Sequence, residues 1–241
     1  SPSLLKRGLG GVGIVFIFLL GAIPVFAEQS PEEAEYSSIQ QAYKDKFYSV
    51  VRSQSFLYLE KNMDSKNKDA VRFLLGRAML EMGQFGDAAK TLEGLLKDSQ
   101  GLSLEEEALY WTAETYFRAG DYPAALRFYQ QIIERFPTSK YYIYARYSNA
   151  WCLGETGSFD EAVAEFEEIA AEFPTDPLAV ESRYKIGQYQ HQAKKLDEAV
   201  KSLQLFIQDF PLSPKAASAH YVLGECYYDL GQYTAALEYF K

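Results

Sequence analysis

Residues 110–126 read Y-W-T-A-E-T-Y-F-R-A-G-D-Y-P-A-A-L, a stretch in which a glycine-aspartate turn separates two apolar helical patterns. The turn recurs every 37 residues without slippage, with an aromatic residue ten positions before it and an alanine five positions after it. A fixed period of 20 to 50 residues is typical of repeat proteins, which work by presenting a long surface. The five turns begin at Gly83, Gly120, Gly157, Lys194 and Gly231.

Each repeat is predicted to form a helix hairpin. In residues 108–119 apolar side chains recur at helical spacing, and Gly120 can then adopt the left-handed conformation that ends a helix. A second amphipathic pattern follows in residues 124–133. Phe136-Pro137 closes it, because proline has no backbone N–H and forces an extended residue before it.

The charge balance argues against two classes of partner. The chain has 24 basic and 33 acidic side chains, a net charge of -9, and without residues 1–27 the balance is 22 against 33, or -11. Nucleic acid and anionic lipid are bound by basic patches that neutralise phosphate. No basic run in the repeats is longer than Lys194-Lys195. We therefore expect no nucleic-acid partner and an acidic, solvated outer face.

The two cysteines, Cys152 and Cys226, lie 74 residues apart, which is two repeat periods. They therefore occupy the same position in helices two repeats apart. With helices packed at about 8–10 Å, their separation is expected to be on the order of 20 Å. A disulfide needs Cα atoms within about 7 Å. We predict two buried free thiols and no disulfide.

Residues 1–27 have the features of a signal peptide. A basic pair at 6–7 precedes an apolar run at 9–22, and cleavage is expected before Glu28. The alternative is a retained signal anchor, because residues 8–27 are 20 positions without a charge, about enough to span a bilayer. Both alternatives predict export, with membrane contact made only through residues 8–27 if the leader is retained.

The repeat unit resembles the tetratricopeptide repeat. That family has a small residue at the eighth position of the unit, an alanine at the twentieth and a proline near the end. The resemblance covers roughly residues 33–241 and implies an all-α fold, a right-handed superhelical solenoid of antiparallel helix hairpins. Residues 1–27 are expected to place one N-terminal hydrophobic helix before it. The matching residues are Gly76, Ala113, Ala150, Gly187 and Gly224, then Ala88, Ala125, Ala162, Ala199 and Ala236, then Pro137, Pro174 and Pro211.

The unit departs from the usual pattern in its length of 37 residues against 34. It also ends in F-P-x-S/T, as in residues 136–139. A longer unit with this ending is similar to bacterial envelope members of the family, of the periplasmic and outer-membrane-assembly type. This resemblance implies the repeat type and the compartment, and it does not imply a specific task.

The repeat register divides the chain. Residues 1–27 are the signal peptide or signal anchor, and residues 28–69 are a linker and a degenerate first repeat, since one period back from Gly83 lies Lys46. Residues 70–241 form the repeat array. Its repeats are expected at about 70–106, 107–143, 144–180, 181–217 and 218–241, the last of them truncated within a helical pattern.

In tetratricopeptide arrays the first helices of the repeats line a concave groove, and the resemblance places an aromatic ring of each repeat in it. We predict that these rings and their neighbours hold an extended or helical peptide of a protein partner, since aromatic residues dominate binding energies. The alternative is that the rings are core packing between repeats. The predicted ladder is Tyr36, Phe73, Tyr110, Tyr147, Tyr184 and Tyr221, and its predicted neighbours are Trp151, Tyr144, Tyr228 and Arg118.

The sequence argues against catalysis. The two histidines, His191 and His220, stand at different helix positions, and neither Cys-x2-Cys nor His-x3-His spacing occurs. No glycine-rich phosphate loop follows a strand pattern. We predict no enzyme activity, no metal site and no cofactor.

Three functions remain open. The first is an exported periplasmic scaffold that binds envelope proteins through the concave groove and takes part in complex assembly. The second is a structural subunit of a larger membrane complex, anchored in the inner membrane by residues 8–27. The third is a regulatory module of a longer enzyme.

Overall fold

The computed structural model describes residues 30–98 and 104–241, and within these ranges the chain forms twelve α-helices and no β-strand. The predicted all-α fold of helix hairpins is confirmed. The predicted leader at residues 1–27 and its hydrophobic helix lie outside the described residues. The helices are α1 (Pro31–Lys44), α2 (Tyr48–Lys61), α3 (Lys68–Glu81), α4 (Phe85–Asp98), α5 (Glu105–Ala119), α6 (Tyr122–Arg135), α7 (Tyr142–Glu155), α8 (Phe159–Glu172), α9 (Pro177–Gln192), α10 (Leu196–Asp209), α11 (Ala216–Asp229) and α12 (Tyr233–Tyr239).

Each helix packs against the next one along the chain, so that the twelve helices form a stack of six hairpins. None of the twelve combines the length and the hydropathy that crossing a bilayer requires.

A single residue in the left-handed conformation ends the first helix of every hairpin. After α5, Gly120 has a φ of 77°, and Asp121 then caps α6 by accepting a hydrogen bond from the backbone N–H of Ala124 at 3.1 Å. The predicted turn positions are confirmed, including the one counted back to residue 46. The six residues are Lys46, Gly83, Gly120, Gly157, Lys194 and Gly231.

Because the turn residue is left-handed, placing glycine there and removing glycine from there are expected to have opposite effects on the free energy of unfolding. Lys46 has a φ of 61°, a conformation that costs a residue with a Cβ roughly 1 kcal/mol. We expect Lys46→Gly to raise the free energy of unfolding by several tenths of a kcal/mol, and Gly120→Ala to lower it by about 1 kcal/mol. Urea unfolding followed by circular dichroism measures both. Equal shifts in the same direction would contradict this account of the turn.

A second turn, built from the F-P-x-S motif, joins one hairpin to the next. In residues 136–139 the backbone N–H of Ser139 donates to the carbonyl of Phe136 at 3.0 Å. The hydroxyl of Ser139 accepts from the backbone N–H of Tyr141 at 2.8 Å and donates to Glu106 at the start of α5. The motif therefore ties the end of one hairpin both to its own first helix and to the start of the following helix.

The hydrophobic core is continuous across hairpins. The predicted small residues at the eighth and twentieth positions of the repeats are all buried. One core cluster joins Tyr147 of α7, Phe166 of α8 and Tyr189 of α9, so it spans two hairpins. A hairpin therefore completes its core only when its neighbour packs against it, as expected of a solenoid.

Both cysteines are buried and free, as predicted, and they belong to different core clusters. Burial raises the pKa of the Cys152 thiol to about 12 and that of the Cys226 thiol to about 11. Since the thiolate is the nucleophile, both side chains behave as small apolar groups at neutral pH.

Candidate functional site

The odd-numbered helices form one side of the stack, which we call the inner surface. The backbones of consecutive odd-numbered helices contact one another, whereas among the described residues those of consecutive even-numbered helices do not. Hairpins that are closer together along one side must curve towards it. The inner surface, made by α1, α3, α5, α7, α9 and α11, is therefore the concave one.

The predicted aromatic ladder is not a continuous exposed surface. Tyr147 and Tyr184 are buried, with exposed fractions of 6% and 7%, and each belongs to a core cluster. The hydroxyl of Tyr147 donates to Glu181 on α9 at 3.0 Å. Burial, followed by the negative charge of Glu181, raises the pKa of the Tyr147 hydroxyl. At these two positions the ring stabilises the contact between hairpins, because the fifth position of α7 and α9 points into the core.

The other four residues of the ladder differ from one another in how far they are exposed. Tyr110 is half-buried and stacks on Tyr141, with ring centroids 4.4 Å apart. Tyr36 is half-buried and accepts a hydrogen bond from Gln40 at 2.8 Å. Phe73 is buried, whereas the last member, Tyr221, is 58% exposed.

The predicted neighbours of the ladder are more accessible. Tyr144 is 50% exposed and Tyr228 is 59% exposed, while Trp151 is half-buried. Arg118 does not stand alone, because it lies 3.6 Å from a carboxylate oxygen of Glu81 and 4.0 Å from one of Glu114. That any of these residues binds a partner stays a prediction.

Two cation–tryptophan pairs lie between consecutive odd helices of the inner surface. In the first, Cζ of Arg77 on α3 lies 3.2 Å from the centroid of the Trp111 ring on α5. Phe73 and Tyr43 stand nearby, 5.8 Å and 5.6 Å from the same carbon. Burial lowers the pKa of Arg77. Its Nε and the Nε1 of Trp111 are buried without a hydrogen-bond acceptor in the described part of the chain.

In the second pair, Nζ of Lys185 on α9 lies 3.9 Å from the ring centroid of Trp151 on α7 and 5.5 Å from that of Tyr189. Lys185 is only 7% exposed. Burial lowers its pKa to about 8, although the charge of Glu155 opposes this. Glu155 accepts hydrogen bonds from Nε1 of Trp151 at 3.0 Å and from the hydroxyl of Tyr189 at 3.2 Å.

The two pairs occupy equivalent places in the repeats, but the cation and the tryptophan have exchanged positions. Arg77 and Trp151 are 74 residues apart, and so are Trp111 and Lys185, which is two repeat periods in each case. Within each pair the partners are 34 residues apart. The ninth position of one repeat therefore meets the sixth position of the next, one helical turn earlier. The pairing was not predicted from the sequence, because residues at the repeat spacing of 37 occupy equivalent positions and the paired residues are 34 apart.

Three family models, each described as tetratricopeptide repeat, match the chain at residues 73–140 with 205–241, at 116–183 and at 181–213. Together they cover residues 73–241 without a gap. The chain belongs to the tetratricopeptide repeat family. A search of curated proteins finds no match.

Solved structures share the fold of this tetratricopeptide repeat protein. One from Parabacteroides merdae ATCC 43184, itself described as a tetratricopeptide repeat protein, is 14% identical with a TM-score of 0.70, over 86% of this chain and 77% of that one. MamA (41-end) from Desulfovibrio magneticus RS-1 is 19% identical with a TM-score of 0.61, over 72% of this chain and 92% of that one. Identities this low establish the fold alone.

Tetratricopeptide repeat proteins are protein–protein interaction scaffolds, and the partners of this one are therefore proteins. Among the described residues no group of three or more His, Cys, Asp or Glu side chains is placed to hold a metal ion. The two histidines lie apart, with Nε2 of His191 3.2 Å from Asp229 and the ring of His220 beside that of Tyr239. The absence of enzyme activity stays a prediction.

Proposed function

We propose that this tetratricopeptide repeat protein is an exported scaffold that binds envelope proteins through its inner surface and takes part in assembling a complex. Export is supported by the signal-like pattern of residues 1–27. The envelope is supported by the 37-residue unit ending in F-P-x-S/T, which is similar to that of envelope members of the family.

The observation that carries the binding role is the composition of the inner surface. It offers the exposed ring of Tyr144 on α7, able to contribute a large contact area at a low entropic cost, and those of Tyr221 and Tyr228 on α11, the last inner helix described. The half-buried Trp111 and Trp151 lie among them, each in contact with a cation. Tryptophan, tyrosine and arginine are the residues on which binding energy concentrates in protein interfaces.

Site-specific photocrosslinking tests the proposal. A photoreactive residue in place of Tyr144, exposed on α7, is expected to capture a discrete protein from envelope extracts. The matched control is the same residue in place of Leu205, 57% exposed on the outer helix α10, which is expected to capture nothing discrete. If both positions capture the same proteins, or if position 144 captures none, the inner surface is not the binding site.

The second candidate is a membrane-anchored structural subunit of a larger complex. Helix α2 and the turns flanking it expose large apolar side chains, at Phe47, Phe56, Leu57 and Met63, on the hairpin that follows residues 8–27. The mass of the mature N-terminus separates the candidates. A chain that begins at Glu28 supports the exported scaffold, whereas retention of residues 8–27 together with stoichiometric membrane proteins supports the anchored subunit.

A further inference from the structure

Among the described residues, cations that are wholly or partly buried differ in what compensates their charge. Arg146, 4% exposed, forms ion pairs with Glu165 and Glu172 at 2.5 Å and with Glu168 at 2.8 Å. Half-buried Arg77 and buried Lys185 differ from Arg146, because in residues 30–98 and 104–241 neither has a carboxylate oxygen within 4.0 Å. Each lies on a tryptophan ring of the inner surface instead.

A tryptophan ring compensates only part of the cost of taking a cation out of water. A carboxylate adds charge-assisted hydrogen bonds, which are stronger than the attraction to an aromatic quadrupole. Arg77 has guanidinium N–H groups that can bind a carboxylate in a bidentate manner, and Lys185 has three ammonium donors on a flexible stem. Both cations are therefore left with an unused capacity for negatively charged partners.

We propose that the inner surface binds an extended acidic segment of the partner protein, with one carboxylate on Arg77 and a second on Lys185. The inference rests on the proposed scaffold function and names the chemistry of the partner. Arg77 on α3 and Lys185 on α9 stand three inner-helix steps apart, but each charged end lies between its own helix and the tryptophan of the next, so the charges are about two steps apart, on the order of 20 Å. An extended chain rises about 3.3 Å per residue, so the two acidic residues stand about six positions apart.

The carboxylates beside the two pairs do not make a basic segment the better occupant there, because they already have partners within the protein. Glu81 and Glu114 lie beside Arg118, and Glu114 also accepts from the Tyr129 hydroxyl at 2.5 Å. Glu155 accepts from Trp151 and Tyr189, as described above. A basic segment would have to compete with these contacts, whereas an acidic one finds two cations without a carboxylate.

The two cations lie against the only two tryptophans of the chain, so tryptophan fluorescence reports on both sites. The probe is an acetylated and amidated eight-residue peptide with glutamate at positions 1 and 7 and alanine or serine elsewhere. We expect saturable binding that changes the emission and weakens as salt is added. A chain with a net charge of -9 does not attract such a peptide through its overall field, so binding must be local.

Single substitutions locate the binding. Arg77→Met and Lys185→Met are each expected to weaken the peptide's affinity by about tenfold or more, the value of a charge-assisted hydrogen bond. The matched controls are Arg127→Met on α6 and Lys201→Met on α10, both exposed on outer helices, which are expected to keep full affinity. Trp111→Phe and Trp151→Phe leave one tryptophan each and assign the signal to its site. Thermal melting of every variant separates lost binding from lost folding.

Two further peptides decide the inference. A peptide with glutamines at positions 1 and 7 is expected not to bind, and one with glutamates at positions 1 and 3 is expected to bind more weakly because it reaches one cation only. Preference for a lysine peptide, or equal binding by the controls and the cation variants, overturns the inference. If Tyr144 crosslinks to a protein while no glutamate peptide binds, the acidic segment is wrong and the scaffold proposal stands.

Discussion

Gly154→Ala is expected to lower the free energy of unfolding by about 2 kcal/mol, the usual cost of forcing an extra methyl group into a packed core. A Cβ at position 154 would overlap Cζ and Cε1 of Tyr189 and lie 2.7 Å from its hydroxyl oxygen. Tyr189 is fully buried and stacks on Phe166, with ring centroids 6.0 Å apart, so its ring has no free space to enter. The midpoint of urea unfolding measures the loss.

The matched control for this change is Gly94→Ala in the interior of α4. A Cβ there would meet only the guanidinium end of Arg72 at 3.7 Å, an ordinary contact. We expect this substitution to raise the free energy of unfolding by about 0.5–1 kcal/mol, because alanine is the better helix former. In a Tyr189→Leu background the cost of Gly154→Ala is expected to fall, since the overlapping ring is gone. A cost that stays the same in that background would show that the ring is not its cause.

Lys185→Met is expected to stabilise the protein by about 2 kcal/mol at pH 7. Burial lowers the pKa of Lys185 from 10.5 to about 8, so the folded state holds the charged ammonium at a cost. Methionine has a similar shape, fills the space on the Trp151 ring and carries no charge to desolvate. The exposed Lys201→Met on α10 is the control and is expected to change the stability by less than about 0.5 kcal/mol.

The stabilisation by Lys185→Met is expected to depend on pH. Below pH 8 the lysine is protonated in both states and the full cost is present. Between pH 8 and 10.5 the unfolded chain binds a proton that the folded chain does not, so the stability of the unsubstituted protein rises with pH. Glu155 and Glu181 oppose the lowered pKa and Lys215 adds to it, but the substitution leaves all three in place.

Urea unfolding of both proteins between pH 7 and pH 10 measures this dependence. The difference in free energy of unfolding between Lys185→Met and the unsubstituted protein is expected to shrink steadily over this range. A difference that stays constant with pH would show that the lysine is not a desolvated cation.

Much of the fold follows from local chemistry, which sequence reasoning can use directly. The helix periods, the Phe-Pro ends and the 37-residue register predicted the hairpins. The register alone marked residues 46 and 194 as turn positions. Lys46 and Lys194 adopt there the left-handed conformation that glycine has in the other turns. The burial of Ala125 and its counterparts follows similarly, since each hairpin must bring two helices close together.

The binding surface was predicted less well. The resemblance gave the fifth position of each repeat the same role, yet Tyr147 is buried while Tyr221 is exposed. Whether a ring at that position reaches the surface depends on the side chains that the neighbouring hairpins place over it. Tyr147 on α7 is covered by α9 of the next hairpin, whereas Tyr221 lies on α11 in the last hairpin of the described residues.

The sequence by itself determined the repeat, its helix hairpins, its turns and its acidic balance, because each depends on residues close together in the chain or on a simple total. The tertiary structure alone decided which side chains meet across hairpins. Arg77 reaches Trp111, and Lys185 reaches Trp151, through the angle at which one hairpin packs on the next. That angle is set by the summed contacts of whole helix faces, so no single motif encodes it.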